Sequence, residues 1–340
     1  MSTTSKMSAW QYTSTASGLE KNLYLPATGV PKPSVTATQL LVEVYAAALN
    51  PADYKVPELL PTIPVLTSPG TPGQDFCGRV CETGAQASGY RVGELVFGVG
   101  KGSLAQYVAV EKDAVARVPE GLEGSVDEMA GVGVAGVTAF QSIVPNVQEG
   151  RGDRVFINGG SGGTGIFGLQ IAKAMGCHVT TSCSGANAEL CKSLGADEVL
   201  DYTAGDVVEA LKEKGGTFDL VVDNVGSPRN LYKECHHFVK EEGRIVQVGA
   251  EMGVGAAVQL ARNMLLPGMF GGGRRKFQFV VLKTRHEELA RLAKWIEEGK
   301  VKPVVDSVWE FYDAPKAFER LKTHRAKGKV VVHVKKDLLK

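Results

Sequence analysis

The sequence lacks any hydrophobic run of the roughly 18 residues that a membrane-spanning helix needs. It also lacks an excess of basic residues, because 38 Lys and Arg are balanced by 37 Asp and Glu, which gives a net charge of +1. A nucleic-acid-binding protein usually carries a basic stripe or excess. The basic clusters here are short, at residues 274–276 and at Lys335, Lys336 and Lys340, and we interpret them as solvated surface. We therefore expect neither a membrane span nor a nucleic-acid partner.

Cysteine is scarce, and the chain contains no Cys-x-x-Cys pair. The segment from Met1 to Ala9 is rich in Ser and Thr but has no hydrophobic stretch of the kind found in a secretory signal. We interpret this segment as disordered, and a weak organelle-targeting role stays open. A long chain without a secretion signal belongs in a reducing compartment. We therefore expect a cytoplasmic protein with free thiols.

The distribution of strand and helix signals divides the chain into three parts. Residues 1–130 are mainly β, residues 131–270 alternate short apolar runs with helical periods, and residues 271–340 are mixed. The alternation predicts an α/β fold, a Rossmann-type doubly wound parallel sheet of five strands. Outside it, strands are predicted at 39–44, 106–110, 277–282 (buried) and 329–334, helices at 286–298 and 313–321, and a proline-rich loop at 57–73. Within it, strands are predicted at 154–158, 178–182, 198–200, 218–223 and 244–248, and helices at 165–175, 188–194, 207–214 and 230–239.

A glycine-rich loop follows the first strand of the parallel sheet. Gly160, Gly162 and Gly165 form Gly-x-Gly-x-x-Gly between a strand and an amphipathic helix, which is the context of a dinucleotide fingerprint. We expect Gly160 to allow a tight turn, Gly162 to let the backbone approach a pyrophosphate, and Gly165 to let the helix pack against the strand. The helix N-terminus offers free N–H groups to phosphates. The predicted loop residues are Gly160, Ser161, Gly162, Gly163, Thr164 and Gly165.

The end of the second strand indicates which nicotinamide cofactor is bound. NAD-binding proteins usually carry an acidic residue there for the ribose hydroxyls, whereas this segment has no acid before Glu189. Ser184 and Asn187 could instead form hydrogen bonds with a 2′-phosphate. The segment contains no Arg or Lys, and Lys192 lies one helical turn further on. The residues favour NADPH.

Several ordered motifs together resemble the medium-chain dehydrogenase/reductase superfamily, in its quinone oxidoreductase-like branch. The resemblance covers residues 40–334 and implies a GroES-like β catalytic domain that the Rossmann domain interrupts and the C-terminal segment completes. It also implies an active site in the cleft between the two domains, and commonly a homodimer. The motifs are Asn-Pro-Ala-Asp-Tyr-Lys from Asn50, Pro-Gly-Gln-Asp-Phe-Cys-Gly from Pro72, Gly-Val-Thr-Ala from Gly136, the glycine loop, Leu-Gly-Ala-Asp-Glu-Val from Leu194, and Gly-Lys-Val-Val-Val from Gly328.

Zinc-binding members of this superfamily carry a Cys near the position of Asn50 to Asp53, and Gly-His-Glu where this chain has Gly73, Gln74 and Asp75. Amides cannot replace thiolate and imidazole ligands, so we expect no metal. The zinc-free branch reduces quinones or carbon–carbon double bonds conjugated to a carbonyl. We therefore expect a small-molecule substrate. We interpret Cys77 and Cys81 as core or strand cysteines, and His236 and His237 as surface residues.

The resemblance also implies a role for individual residues. Asn50 and Thr138 are expected near the nicotinamide and its ribose, and Tyr54 and Lys55 at the substrate. Tyr202 is expected to flank the adenosine phosphate, and Asn224, Gly249 and Lys329 are expected as further cofactor neighbours. Relatives often have a basic residue where this chain has Ala186. No residue is an obvious strong general acid, so we expect protonation by water or by a weak donor such as Tyr54.

Four other interpretations agree with parts of the sequence. Gly159 to Gly163 also spells the Gly-x-Ser-x-Gly of a hydrolase, with Asp223 and then His236, His237 or His324 as partners, but the dinucleotide fingerprint and the N-terminal motifs argue against it. A short-chain reductase is excluded because Pro315 interrupts the Tyr312-x-x-x-Lys316 pair. A non-catalytic NADPH-binding protein stays open. A trans-acting enoyl reductase of a biosynthetic pathway also stays open.

Overall fold

The computed structural model describes residues 5–59, 69–249, 253–265 and 273–335. The chain forms two compact units, of which the first comprises Met1–Val137 with Lys283–Lys340 and the second comprises Thr138–Leu282. The chain therefore leaves the first unit, builds the second, and returns to complete the first. Among the described helices, none combines the length and the apolar character that crossing a bilayer requires.

The elements are numbered in chain order through the described residues. The strands are β1 (Lys6–Met7), β2 (Val30–Pro31), β3 (Gln39–Leu49), β4 (Asp75–Thr83), β5 (Leu95–Val99), β6 (Tyr107–Glu111), β7 (Val115–Arg117), β8 (Arg154–Asn158), β9 (His178–Cys183), β10 (Glu198–Asp201), β11 (Phe218–Asp223), β12 (Val239–Gln247), β13 (Lys276–Phe279), β14 (Val305–Glu310) and β15 (Lys329–His333). The α-helices are α1 (Pro51–Leu59), α2 (Val126–Ala130), α3 (Gly133–Ile143), α4 (Gly163–Ala174), α5 (Ala188–Ser193), α6 (Val207–Lys212), α7 (Leu231–Glu234), α8 (Val254–Leu265), α9 (His286–Glu297) and α10 (Ala314–Lys322).

A seven-stranded sheet lies at the centre of the first unit. Its order is β14-β15-β3-β4-β5-β7, with β6 also paired to β3. The long strand β3 is almost entirely buried, because Leu40, Val42 and Val44 pack in one hydrophobic core with Phe76 and Leu104. β15 and β4 both run antiparallel to β3, so both begin where β3 ends. This arrangement brings three distant parts of the sequence to one edge of the sheet. The unit is a GroES-like β fold.

The second unit is built on a six-stranded sheet in the order β10-β9-β8-β11-β12-β13. All neighbouring strands run parallel. The first strand, β8, lies in the middle, and the strand order reverses between β8 and β11. In doubly wound sheets, ligands bind in the crevice beyond the carboxyl ends of the strands at such a reversal. The predicted Rossmann-type sheet is confirmed, and β8 and β11 have the predicted bounds.

Two predictions within the second unit were wrong. The segment 277–282 was expected as a buried strand of the completing part of the chain, but Lys276–Phe279 is a sixth strand paired to β12, with alternating exposed and half-buried residues. It lies at the edge of the sheet, which explains why it is not fully buried. The helix expected at 230–239 is only α7 and a following turn of 3-10 helix. The Phe238 carbonyl accepts hydrogen bonds from Thr217 and Phe218, which ends the helical segment and leads into β12.

Two predictions for the N-terminal part also differ from the structure. The segment from Met1 to Ala9 was interpreted as disordered, but β1 pairs with β2, and Ala9 is buried and bridged to Ala105. Residues 1–4 lie outside the described residues. The predicted loop at 57–73 begins inside α1, which accommodates Pro57, and its positions 60–68 lie outside the described residues.

Candidate functional site

The glycine loop joins β8 to α4 in the second unit. Gly159 carries the positive φ of +81° that turns the chain out of the strand, so the tight turn expected at Gly160 occurs one residue earlier. A Cβ at Gly160 would lie 2.2 Å from Thr181 Oγ1, and a Cβ at Gly165 would lie 2.1 Å from the Gly159 carbonyl oxygen. A Cβ at Gly162 would meet nothing closer than 3.6 Å. Gly160 and Gly165 are therefore needed for internal packing, whereas the space beside Gly162 is open to a ligand.

The same loop presents the N-terminus of α4. Gly162 is the N-cap, and the first hydrogen bond of the helix runs from Ile166 N to the Gly162 carbonyl. Gly162 has no side chain that could cap this end, and Ser161, Gly163 and Thr164 are half-buried. The first N–H groups of a helix have no intrahelical partner and attract anions. The six predicted loop residues thus lie together at this helix end, and their role in binding phosphate stays a prediction.

Ser184 is the N-cap of a single turn of 3-10 helix after β9, and Asn187 is the last residue of that turn. Asn187 Nδ2 donates a hydrogen bond to Ser161 Oγ (3.0 Å), which ties this turn to the glycine loop. Asn187 Oδ1 is buried without a hydrogen-bond partner among the described residues. Buried polar atoms are normally satisfied, so this side of the amide is suited to a polar ligand, which can donate to Oδ1 or, after a 180° rotation of the amide, accept from Nδ2.

An acidic residue that the sequence analysis missed, Asp201, lies beside this turn. It ends β10, next to β9 in the sheet, and a Cβ at Gly185 would lie 2.4 Å from its Oδ2. Hydrogen bonds from the Thr203 hydroxyl and N–H, and from the Gly185 N–H, lower the pKa of Asp201. The Asp201 carboxylate is therefore already engaged in hydrogen bonds within the protein. The neighbouring Tyr202 is 58% exposed.

Asn224 and Gly249 meet at the carboxyl ends of β11 and β12. A Cβ at Gly249 would lie 2.0 Å from the Asn224 carbonyl oxygen, so only glycine fits there. Asn224 Oδ1 is buried and has no hydrogen-bond partner among the described residues. Thr138, on α3, is buried, and its carbonyl accepts a hydrogen bond from Ser142 Oγ (2.7 Å). These positions agree with a ligand crevice at the strand ends, while the individual roles stay predictions.

In the first unit, the predicted residues Asn50 and Lys329 belong to one buried network. Lys329 Nζ donates hydrogen bonds to Asn50 Oδ1 (2.5 Å) and to Asp75 Oδ2 (3.0 Å). Asn50 Nδ2 also donates to Asp75 Oδ2 (2.9 Å). Burial raises the pKa of Asp75, and the Lys329 charge and the donated hydrogen bonds oppose this rise.

Asp53 adds a second carboxyl group to this network. Its Oδ2 accepts a hydrogen bond from the Asn50 backbone N–H (2.7 Å), and its Oδ1 accepts one from Gln74 Nε2 (2.9 Å). Burial raises the pKa of Asp53 to about 7, and the nearby Asp75 charge contributes to the rise. Asp53 therefore exchanges its proton near neutral pH. The sequence analysis missed it, although Asn50, Pro51 and Asp53 have the spacing of an N-cap, an N1 proline and a capping-box acid.

Tyr54 and Lys55 follow on α1. The Tyr54 side chain is 3% exposed and packs in the core of the unit, and its hydroxyl has no hydrogen-bond partner among the described residues. Burial raises the pKa of Tyr54 to about 12, so the phenol keeps its proton and can donate it in a hydrogen bond. Lys55 is half-buried, and its charge adds to burial in lowering the pKa of His324.

Comparison with known proteins gives matches over nearly the whole chain. Residues 36–120 match the family model of the alcohol dehydrogenase GroES-like domain, and residues 194–332 match that of the zinc-binding dehydrogenases. The trans-enoyl reductase pgmF of Aspergillus terreus is 43% identical, with 97% of each chain covered. The chain belongs to the medium-chain dehydrogenase/reductase superfamily, in its quinone oxidoreductase-like branch.

Two further relatives of this medium-chain oxidoreductase extend the comparison. The 2-methylene-furan-3-one reductase of Solanum lycopersicum is 35% identical over 97% of this chain and 79% of its own length. The solved structure of the quinone oxidoreductase from Coxiella burnetii is 28% identical and superimposes with a TM-score of 0.82, covering 97% of this chain and all of its own.

The zinc-binding description of one matching family does not agree with the donor set of this chain. Asn50, Asp53, Gln74 and Asp75 contribute two amides and two carboxyl groups, and the Lys329 ammonium lies among them. Zinc sites use Cys, His and carboxylate ligands, and an ammonium group among the donors would repel Zn²⁺. Throughout the described parts of the chain, no group of three or more His, Cys, Asp or Glu residues is placed to hold a metal ion. This network does not fit zinc, and we derive no chemistry through a metal.

The hydrolase alternative is not supported by the contacts of its proposed residues in the second unit. Asp223 accepts hydrogen bonds from Asn158 Nδ2, Val225 N and Gly226 N. His236 Nδ1 contacts the Lys233 carbonyl. Ser161 Oγ is paired with Asn187.

Proposed function

We propose that this chain is an NADPH-dependent, zinc-independent reductase that delivers hydride to an α,β-unsaturated carbonyl compound or a quinone. The observation that carries the proposal is the geometry of the glycine loop. Side-chain space is closed at Gly160 and Gly165 but open at Gly162, directly in front of the uncapped α4 N-terminus. This pattern is suited to a pyrophosphate.

The preference for NADPH is argued from the turn after β9. This turn contains no carboxylate of its own, and the nearby acid Asp201 already accepts three hydrogen bonds. Ser184 and Asn187 would therefore meet the adenosine ribose and its 2′-phosphate, with the exposed Tyr202 flanking them. A 180° rotation of the Asn187 amide would turn its Nδ2 toward a phosphate, while the Ser161 hydroxyl donates to Oδ1 instead of accepting.

Among the candidate substrates, we place enoyl compounds ahead of quinones. The trans-enoyl reductase of Aspergillus terreus is 43% identical and the 2-methylene-furan-3-one reductase of Solanum lycopersicum is 35% identical, whereas the quinone oxidoreductase of Coxiella burnetii is 28% identical. The resemblance also suggests a homodimer, which sedimentation would test, and cell fractionation would test the expected cytoplasmic location.

Bound nicotinamide would supply the hydride, and the residues of the chain would supply orientation and hydrogen bonds. As the resemblance implies, Asn50 and Thr138 would each lie near the nicotinamide and its ribose, and Asn224, Gly249 and Lys329 would be further cofactor neighbours. The Tyr54 hydroxyl is a protonated donor without a partner among the described residues, so it could stabilise the oxyanion that develops on the substrate carbonyl. Lys55 would lie at the substrate. Positioning supplies much of the rate acceleration in such a site.

Cofactor binding tests the first half of this proposal. NADPH and NADH would be titrated by quenching of intrinsic fluorescence against the wild type, Ser184→Asp, and Ser184→Asn as the uncharged control of the same shape. Tight NADPH binding that Asp abolishes and Asn keeps supports the assignment. Equal or stronger NADH binding by the wild type would overturn the preference, and the absence of any nucleotide binding would overturn the whole proposal.

Turnover tests the second half. An enoyl thioester, a simple enone, a benzoquinone and a primary alcohol would be assayed with the matching cofactor form, before and after treatment with a chelator. Reduction of the enoyl thioester and the enone, unchanged by the chelator, is expected. Tight NADPH binding without turnover of any substrate would favour the non-catalytic alternative.

A further inference from the structure

Three chain segments meet at one edge of the first-unit sheet. Asn50 directly follows β3, while Asp75 and Lys329 are the first residues of β4 and β15. The register pairs Ala48 with Asp75 and Leu49 with Val330. The three polar side chains are therefore neighbours by strand pairing, although Asp75 and Lys329 are 254 residues apart in sequence.

Asp75 is the centre of this arrangement. Its side chain is fully buried and accepts three hydrogen bonds, from Asn50 Nδ2, Lys329 Nζ and the Val134 backbone N–H (2.6 Å). A Cβ at Gly133 would lie 2.4 Å from Asp75 Oδ1, so the carboxylate fits against the start of α3 only because residue 133 is glycine. The carboxylate is thus held from several directions.

The ion pair also determines which way the Asn50 amide faces. Nδ2 donates to the carboxylate, and Oδ1 accepts from the ammonium. A 180° rotation of the amide would place N–H groups against the Lys329 cation and an oxygen against the Asp75 anion, which is unfavourable on both sides. In a buried site such charge interactions are poorly screened. The buried pair therefore specifies one orientation of Asn50.

We propose that Asp75 is a positioning residue of the reductase, and that Asp75 and Lys329 act on the reaction through Asn50, whose amide they hold in one orientation toward the nicotinamide and its ribose. The inference rests on the proposed function for the place of Asn50. It assigns to Lys329 a role inside the protein network.

The test separates orientation from stability. Asp75→Asn leaves the buried Lys329 charge without its counter-ion and removes acceptor capacity, and Lys329→Met leaves Asp75 uncompensated. Both single variants should unfold at lower temperature, because an unpaired buried charge is strongly destabilising. The double variant Asp75→Asn/Lys329→Met restores charge balance and should recover most of the melting temperature. Its kcat should stay about 10- to 100-fold below the wild type, because a displaced contact group costs rate even in a folded enzyme.

The Asn50→Ala variant shows whether the ion pair acts through Asn50, because this variant lacks the amide. In the Asn50→Ala chain, adding Asp75→Asn/Lys329→Met should change kcat and the fluorescence of bound NADPH no further, because the residue through which the pair acts is gone. If the double variant regains both melting temperature and kcat, the pair is structural only and the inference is wrong. If its effects add in full to those of Asn50→Ala, the pair does not act through Asn50.

The fluorescence of bound NADPH needs no turnover, so the inference can be judged separately from the substrate assignment. A wild type that binds NADPH but reduces nothing would overturn the proposed reaction, while the fluorescence cycle would still decide whether the pair orients Asn50. An active wild type with an additive cycle would overturn this inference alone. Lys329→Arg keeps the charge and should retain more of kcat than Lys329→Met.

Discussion

Asn158 Nδ2 donates a hydrogen bond of 2.8 Å to the carboxylate of Asp223. Asn158 ends β8 and Asp223 ends β11, so this bond joins the two strands between which the sheet order reverses. Ser182 Oγ donates to Asn158 Oδ1 (2.6 Å), which adds the end of β9. The edge of the sheet that bears the glycine loop is therefore held together by side chains as well as by the backbone.

Removing the Asp223 carboxylate should weaken both the fold and nucleotide binding. Asp223→Ala removes the acceptor of Val225 N and Gly226 N and one of the two acceptors of Asn158 Nδ2, and an unpaired buried donor costs roughly 1–3 kcal/mol. We expect the free energy of unfolding in urea to fall by about 3 kcal/mol and NADPH binding to weaken with it. Asp223→Asn, which keeps one acceptor oxygen, should lose less. Equal stability of Asp223→Ala and the wild type would contradict the network.

The two kinds of loop glycine should respond differently to alanine. Gly165→Ala places a Cβ 2.1 Å from the Gly159 oxygen, so overpacking should lower the unfolding free energy by about 1–3 kcal/mol. Gly162→Ala meets only ordinary contacts and should melt like the wild type. If the pyrophosphate lies against Gly162, the Kd of Gly162→Ala for NADPH should rise more than about tenfold, which corresponds to about 1.4 kcal/mol. Calorimetry and titration of both variants check this, and unchanged binding by Gly162→Ala would place the phosphates elsewhere.

The Tyr54 hydroxyl should contribute to the reaction and not to stability. It is buried without a partner among the described residues, so Tyr54→Phe removes an unsatisfied group and should keep or raise the unfolding free energy, by up to about 1 kcal/mol. If the hydroxyl stabilises the substrate oxyanion, kcat should fall about 100-fold. Tyr45→Phe is the matched control, since its buried hydroxyl accepts a hydrogen bond from Arg79 Nε. That variant should lose about 1 kcal/mol of stability with kcat unchanged.

Asp53 should give the protein a stability component that decreases with rising pH. Burial raises the pKa of Asp53 in the folded chain from an ordinary 3.8 to about 7, so between these values the folded state binds the proton more strongly than the unfolded state. The contribution of Asp53 to the free energy of unfolding is therefore at its maximum below about pH 4. It decreases between about pH 4 and pH 7 and does not change further above pH 7. Three pKa units correspond to at most about 4 kcal/mol. The urea midpoints of the wild type and of Asp53→Asn would be measured from pH 4 to pH 8. The difference between the two midpoints should decrease as the pH rises, and a difference that does not change with pH would contradict the prediction.

The architecture of the second unit was predictable because its signals are local. Apolar, β-branched runs such as Arg154–Asn158 and Phe218–Asp223 alternate with helical periods, and each run became a parallel strand. The sixth strand, β13, was assigned to the wrong part of the chain. Its sequence indicates a strand but does not specify β12 as its partner, because pairing at an edge depends on contacts between distant residues.

The candidate site was predictable only where a motif carried it. Each glycine of the loop has a local reason that the spacing reveals. The Asn50, Asp75 and Lys329 network depends on three strands meeting in register, and no local pattern joins residues so far apart. The carboxyl groups of Asp53 and Asp201 were missed because their protonation or occupancy depends on burial and on donors from other segments.

The strand that brings Lys329 to Asp75 is the last strand of its sheet in the chain, and it inserts between β14 and β3. On the ribosome, β4 emerges 254 residues before Lys329 does. At synthesis rates of about 5–20 residues per second, this interval is roughly 13–50 s. The whole second unit is synthesised during that time, while Asp75 has no counter-ion. The Asp75–Lys329 ion pair that contacts Asn50 therefore forms late in synthesis. A chain released before residue 329 would have the Rossmann sheet without the ion pair.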